Sequence, residues 1–352
     1  MSSNSLTLTI NELKPEIINC FKSKVVPMLT SSPGLGKSSL MHQVADELNL
    51  QIVDIRLAQI DPVELGGFPH IYEDTVGIKH ATYVPMDIFP LETTPVPKGK
   101  AGWLIFLDEF NSAPVAVQAA AYKLVLDRMV GNHKLHKNVA IACAGNKMTD
   151  GAIVNRQGTA MQSRLVHFEM EVSPNDWFNW AYSAQIDPRI IAFLQFSPGK
   201  LHKFDPNHND KTFPCPRTWE FASRLTRNTP DLKQCVARLS GAIGEGTARE
   251  YITYCEVFDK LPKLEDILAN PETTEIPEEP SIAYALTSLV GEYLDKDNSD
   301  KLTTFMRRME PELTGISLRI AFGGPNAPGL LRNPNIVKLF QEMGREYADV
   351  IL

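Results

Sequence analysis

Residues 31–38 read Ser-Ser-Pro-Gly-Leu-Gly-Lys-Ser, and further on an apolar run, Trp103-Leu104-Ile105-Phe106-Leu107, ends in Asp108-Glu109. No other feature constrains the chain as much as this pair of stretches. Glycines spaced as in the first let backbone N–H groups turn toward phosphate oxygens. A lysine at position 37 reaches the β- and γ-phosphates, and the Ser38 hydroxyl can ligate Mg2+. The second stretch has the pattern of a buried strand, and it delivers two carboxylates to its C-terminal edge, where open α/β sheets bind ligands. One carboxylate can hold the metal shell while the other polarises a water.

The general loop pattern is G-x-x-x-x-G-K-[ST], and Ser31 stands where its first glycine belongs. Gly34, Gly36, Lys37 and Ser38 are in place, so the expected phosphate contacts span Pro33, Gly34, Leu35, Gly36, Lys37, Ser38 and Ser39. An apolar stretch (Val25, Val26, Met28, Leu29) precedes the loop, and a helical stripe of Leu40, Met41, Val44, Ala45 and Leu48 follows it. A helix start directly after the glycines suits an anion, because its free N–H groups and dipole favour negative charge. Pro27 removes a ladder donor, so the sequence predicts a bulge or a strand beginning after it.

Composition narrows the class. The 352 residues allow two or three domains, and 43% hydrophobic with 22% charged residues fits a soluble globular protein. No apolar run approaches the roughly eighteen residues of a membrane span, and Met1-Ser2-Ser3-Asn4-Ser5 lacks the basic start of a signal peptide. The five cysteines are scattered, with no C-x-x-C pair, which predicts reduced thiols in a cytoplasmic protein. A net charge of −7 argues against a dedicated nucleic-acid binder. The one basic cluster, His133, Lys134, His136 and Lys137, reads either as a solvated hairpin tip or as a contact with a polymer or partner.

Along the chain the pattern alternates. A helix is expected over 11–23 with Pro15 in its first turn, then the loop and its helix, then a strand carrying Ile52, Val53, Ile55 and Leu57. Residues 58–100, with Gly66-Gly67 and several prolines, read as largely loop, of a length usually functional. Pro114 is expected at the first helical position, with Val115, Ala119, Tyr122 and Leu126 continuing that helix, and Val139–Ala144 is another buried strand. The fold class is therefore α/β: a P-loop core with a mostly parallel, doubly wound sheet. Helical stretches follow at 174–185, 188–196, 216–228 and 231–243. An acidic, Pro-rich connector covers 266–282, and helices are expected over 282–322 and 334–350. The predicted domains are 1–172 (nucleotide-binding core), 173–265 (helical lid) and 266–352 (connector and helical extension).

Five segments together resemble the AAA+ ATPases of the MoxR-like, or dynein-related, group. They are Ser31–Ser38, Leu107–Pro114 running on to Val117-Gln118, Ala144-Gly145-Asn146, Met161–Leu165 and Phe213–Trp219, in the family's order. The resemblance covers most of residues 25–225 and is loose over the last hundred. It implies ATP and Mg2+ as cofactors, with Ser38 and Asp108 in the metal shell and Glu109 as catalytic base. It implies Asn146 as the first sensor, Arg217 as the second sensor on the lid, and Arg164 as an arginine finger reaching a neighbouring subunit's site. Arg156 is a rival for that last role. Charge alone favours such roles, because a γ-phosphoryl transition state is stabilised mainly by positioned cations and amides.

The function so implied is a ring-forming ATPase, a homo-oligomer with a hexamer expected, that remodels or activates a protein client. The family implies a client class bearing a von Willebrand factor A-type domain. A nucleic-acid-associated motor and a low-turnover, ATP-dependent assembly scaffold are the alternatives. The acidic balance weighs against the first and the intact Glu109 against the second. Trp219 is expected to pack the lid against the core.

Overall fold

Six parallel strands make the main sheet, and their order decides which side chains can meet. A computed structural model describes residues 6–151, 154–155, 157–207, 210–256, 261–324, 326–330 and 332–343. In chain order its strands are β1 (Thr7–Leu8), β2 (Val26–Ser31), β3 (Leu50–Arg56), β4 (Phe68–Glu73), β5 (Lys79–Val84), β6 (Gly102–Asp108), β7 (Met129–Val130), β8 (His133–Lys134), β9 (Val139–Asn146) and β10 (Leu165–Met170). The large sheet runs β1-β10-β2-β9-β6-β3, while β4–β5 and β7–β8 form separate antiparallel ribbons. Two compact units are present, Met1–Ser173 with Asp205–Asn207, and Pro174–Phe204 with His208–Leu352. The sheet belongs to the first.

That unit also holds α1 (Ile10–Lys22), α2 (Lys37–Glu47), α3 (Pro62–Gly66), α4 (Val115–Leu126) and α5 (Thr159–Gln162). Alternation along β6 explains its unbroken apolar run. Leu104 and Phe106 join Leu29, Ala142 and Ala144 on one face, under Leu13 and Ile17 of α1 and Leu40, Met41 and Val44 of α2. Ile105 and Leu107 join Met28, Ile141 and Cys143 on the other, under Val117, Ala121, Leu124 and Val125 of α4. Helices on both faces make the sheet doubly wound, as expected. Each buried Leu, Ile, Val, Met or Phe among them stabilises by about 1.5–3 kcal/mol relative to exposure. Because β9 lies between β2 and β6, its last residue, Asn146, falls between the loop after β2 and the carboxylates that end β6.

Four local expectations are corrected. Pro27 lies inside β2 with no bulge: it is matched with Val166 of β10, and the ladder to β9 starts only at Met28. Proline therefore occupies the strand's entry, where a donor is least needed. Pro15 sits in the second turn of a helix that begins at Ile10. Pro114 is the cap residue of α4, not its first turn, and Val115 is 67% exposed while Val117, Gln118, Ala121, Leu124 and Val125 are buried. That helix is apolar on nearly every side, so spacing could not select its buried face. Residues 58–100, expected to be largely loop, contain the β4–β5 ribbon. The edge strand β1 and its partner β10, through which β1 joins the sheet, add two strands not expected from the sequence.

The second unit is helical: α6 (Pro174–Ser183), α7 (Pro188–Phe196), α8 (Pro216–Thr226), α9 (Val236–Ile243), α10 (Glu245–Glu256) and α11 (Leu264–Ala269) come first. Then follow α12 (Pro280–Tyr293), α13 (Ser299–Met306), α14 (Pro311–Gly323), α15 (Ala327–Leu330) and α16 (Pro334–Met343). The helix expected over 334–350 is described as far as Met343. Trp219 is fully buried inside this unit, against Phe193 and Tyr251, with its indole N–H donating to the Lys200 carbonyl at 2.9 Å. Asp187 ties α7 to α8. Its carboxylate takes Arg189 in a fork at 2.6 and 3.0 Å and accepts from the Thr226 hydroxyl at 3.2 Å. No helix among the described residues is long and apolar enough to cross a membrane.

Candidate functional site

Ser31 closes β2, and the chain then turns through Gly34 and Gly36, both with positive φ (78° and 95°), into α2. Only glycine holds such angles without strain. Leu35, between them, is buried in the core under α1 and α2 and anchors the loop from below. Gly36 caps α2 without any side-chain bond, so the first N–H groups of the helix, at Lys37, Ser38 and Ser39, stay open to an anion. Pro33 lies half-buried at the loop's entry and Ser39 is exposed.

Lys37 is buried, and the acceptors of its ammonium include the Ser31 hydroxyl at 2.9 Å, the Asn146 Oδ1 at 3.1 Å, and the carbonyls of Ser31 and Ser32 at 3.3 and 3.4 Å. The serine that replaces the pattern's glycine thus helps to hold the lysine. The Ser38 hydroxyl donates to Asp108 Oδ2 at 2.8 Å, so the two oxygens expected around the metal already converge. A hydroxyl beside a carboxylate is a hard-oxygen donor set that suits Mg2+, which keeps several waters and takes its other ligands from phosphate. The residues therefore fit both the triphosphate and the ion. Among the described residues no group of three or more His, Cys, Asp or Glu side chains forms a separate metal cluster.

Glu109 adopts φ 55° and ψ 32°, a left-handed conformation that non-glycine residues rarely take. Its backbone N–H donates to Asp108 Oδ1 at 2.8 Å, which fixes the Asp108 carboxylate. Asn146 ends β9 with its side chain on Lys37. Lys37, Ser38, Asp108, Glu109 and Asn146 thus gather at the carboxyl edge of the sheet.

Arg164 does not join them. It precedes β10, whose Leu165 is level with Val26 at the other end of β2, five residues from Ser31. At about 3.3 Å per residue that is roughly 17 Å along the strand. Its guanidinium is exposed and donates to the Ala160 carbonyl at 2.6 Å. Arg217 belongs to the second unit, exposed in the first turn of α8. Arg156 lies outside the described residues.

Three neighbours were not picked out by sequence. Asp54 on β3 is one: burial and the Asp108 carboxylate push its pKa up, against the pull of Arg56 and His42. The strand register, which sets Arg56 level with Asp108, is what brings it there. Asn111 is another, lying in a 3-10 turn over Phe110–Ser112 and bonded to both backbone groups of Asn146. An asparagine so soon after the Asp-Glu pair was the available signal. Lys147 is the third; it pairs with Glu169 of β10 beside Asn146.

No family model and no curated protein matches the chain. Among solved structures, it is similar to NtrX from Brucella abortus in complex with ADP, at 16% identity over 100% of this chain and 70% of that one, with a TM-score of 0.40. The ATP complex of NtrX aligns at 15% identity over the same shares, also with a TM-score of 0.40. A RuvB mutant from Thermotoga maritima aligns at 14% over 80% of this chain and 86% of that one, with a TM-score of 0.38.

Proposed function

We propose that the chain is a AAA+ ATPase of the MoxR-like kind, which forms rings and couples ATP hydrolysis to remodelling of a protein client. One observation carries the reading. Lys37 and Ser38 after β2, Asp108 at the end of β6 and Asn146 at the end of β9 meet through side-chain bonds of 2.8 and 3.1 Å. Residues distant in sequence converge at the sheet edge where P-loop proteins bind triphosphates.

In this reading the α2 N–H groups and Lys37 grip the β- and γ-phosphates, and Ser38 and Asp108 would hold Mg2+, which would supply positive charge beside the phosphoryl oxygens. Glu109 takes a proton from the attacking water, and Asn146 orients that water. Arg164, at the opposite edge of its own sheet, serves a neighbouring copy, and Arg217 reads the γ-phosphate from the lid. The assignment of residues 1–172 to the core, 173–265 to the lid and 266–352 to an extension belongs to the same proposal, as does a client with a von Willebrand factor A-type domain.

Two loops supply the working surface. His133, on the β7–β8 ribbon, donates to the Tyr83 carbonyl of β5 at 3.1 Å, and a Cβ on Gly131 would lie 2.6 Å from the Gly66 carbonyl. The Gly66-Gly67 neighbourhood and the basic 131–138 turn therefore form one surface. Beside it, Phe68, Ile71 and Tyr83 are at least half exposed.

The Glu109→Gln variant tests the reading. It should bind ATP as the wild type does, hydrolyse it at least about 100-fold more slowly, and sediment as a ring in the presence of ATP. Unchanged phosphate release would remove Glu109 from the role of base, and a monomer with and without ATP would remove the ring.

A further inference from the structure

We infer that Asn111 is a positioning residue for hydrolysis, resting on the ATPase reading above: its side chain fixes Asn146, and Gly145 is glycine because that side chain lies against it. Asn111 is polar and only 6% exposed. A buried amide is costly unless its groups are satisfied. Here both are satisfied by the backbone of a single residue. Asn111 Oδ1 accepts from the Asn146 N–H at 3.1 Å, and Asn111 Nδ2 donates to the Asn146 carbonyl at 2.7 Å. The amide grips the last residue of β9 as a neighbouring strand would.

Gly145 gives a second, separate indication. Its φ is not in the left-handed region, so the backbone does not require glycine there. Space does. A Cβ would lie 2.2 Å from Asn111 Oδ1 and 2.6 Å from its Cγ, distances no side chain tolerates. The turn carrying Asn111 is itself held from outside. Asn155 donates its backbone N–H to the Asn111 carbonyl at 2.6 Å and its side-chain amide to the Ala113 carbonyl at 2.9 Å, which Gln118 also reaches at 3.0 Å.

The same turn starts at Glu109, whose carbonyl accepts from Ser112 and Ala113. Clamping Asn146 to this turn therefore sets the spacing between Glu109 and Asn146. Both must approach one water, and a misplacement of about 1 Å in such a pair costs roughly 100-fold in rate. The clamp leaves Asn146 only its side-chain torsions, with Oδ1 already 3.1 Å from Lys37.

Steady-state ATP hydrolysis of single and double variants tests this. Asn111→Ala should lower kcat by about 10–100-fold with KM within about threefold of wild type. In an Asn146→Ala background the same change should add less than about threefold, because residues acting as a unit are not additive. Asn111→Asp keeps the shape and one acceptor but sets an oxygen against the Asn146 carbonyl, and it should lose rate similarly while staying folded. Gly145→Ala should be both unstable and slow. Adding Asn111→Ala to it should restore stability without restoring rate. Wild-type kcat in folded Asn111→Ala or Asn111→Asp overturns the proposal, as do Asn111 and Asn146 effects that multiply. A wild-type chain that does not hydrolyse ATP sinks the ATPase reading and this positioning role together, whereas an active wild type indifferent to position 111 sinks only the latter.

Discussion

Replacing Gly36 by alanine isolates the backbone of the phosphate loop. Its φ is +95°, and the nearest atom to an added Cβ is Ile10 Cδ1 at 3.8 Å, an ordinary contact. Sterics with neighbours therefore contribute nothing, and the whole penalty is the left-handed conformation, about 1–2 kcal/mol for an L-residue. For a unit of this size that lowers Tm by roughly 2–8 °C, read by calorimetry on the full chain without nucleotide. Asparagine, which tolerates this region better, should lose less. Gly66→Ala is the control: its φ is unremarkable and no atom lies within 4 Å of the added methyl, so it should be neutral or slightly stabilising. If the chain relieves the strain by rotating Gly36 out of this region, the first N–H groups of α2 swing away and ATP binding weakens at least about tenfold, a shift of 1.4 kcal/mol. A Gly36→Ala protein with wild-type Tm and wild-type ATP affinity would refute the claim that the loop is pinned in this geometry.

The remaining interactions each make a claim that can be measured. Arg164→Ala should lower hydrolysis by about 10³–10⁵, and mixing it with an equally inactive Lys37→Ala protein should recover activity at seams where an intact Arg164 faces an intact loop; no recovery would argue against action in trans. Arg189→Leu should cost about 3–5 kcal/mol, because it strands the buried Asp187 carboxylate, and denaturant unfolding of the second unit reads it. Asp54 has a folded-state pKa above its usual 3.8, so the fold favours its neutral form and loses stability as pH rises through the shifted value. Asp54→Asn should therefore be more stable than wild type at pH 7, with the advantage fading as pH falls toward the unfolded pKa; equal Tm differences at both pH values would contradict the assignment.

Much of the core was legible because its signals are local. The glycines, Lys37 and Ser38 announce a loop whose backbone they alone permit, and the β6 run announces burial on two faces. The misreadings share a different origin. The buried face of α4 is hidden in the sequence because Val115 and Ala119 are as apolar as the residues that are buried, so only the packed sheet distinguishes them. β10 carries His167 and Glu169 among its apolar residues and sits near an edge, so its strand character depends on pairing with β2. Pro27 conflicts with a generic central strand, but what matters is where each ladder begins. Asn111 and Asp54 act through register and turn geometry, which no spacing rule along one strand reveals. Arg164 shows the reverse case: the motif named a residue whose own sheet keeps it away from the site.

The β4–β5 ribbon carries a hazard of its own. It is a two-stranded sheet with no further strand paired to either outer edge among the described residues, and Phe68, Ile71, Val76, Ile78 and Tyr83 all stand well out into solvent. Bare edges with apolar side chains invite strand addition from any other unprotected chain, the route by which proteins aggregate. Pro69 interrupts one edge, and Glu73 with Lys79 places charges near the tip. Those guards are few, so protein held at high concentration would be prone to cluster through this ribbon, and solubility would improve with polar replacements at Ile71 and Ile78.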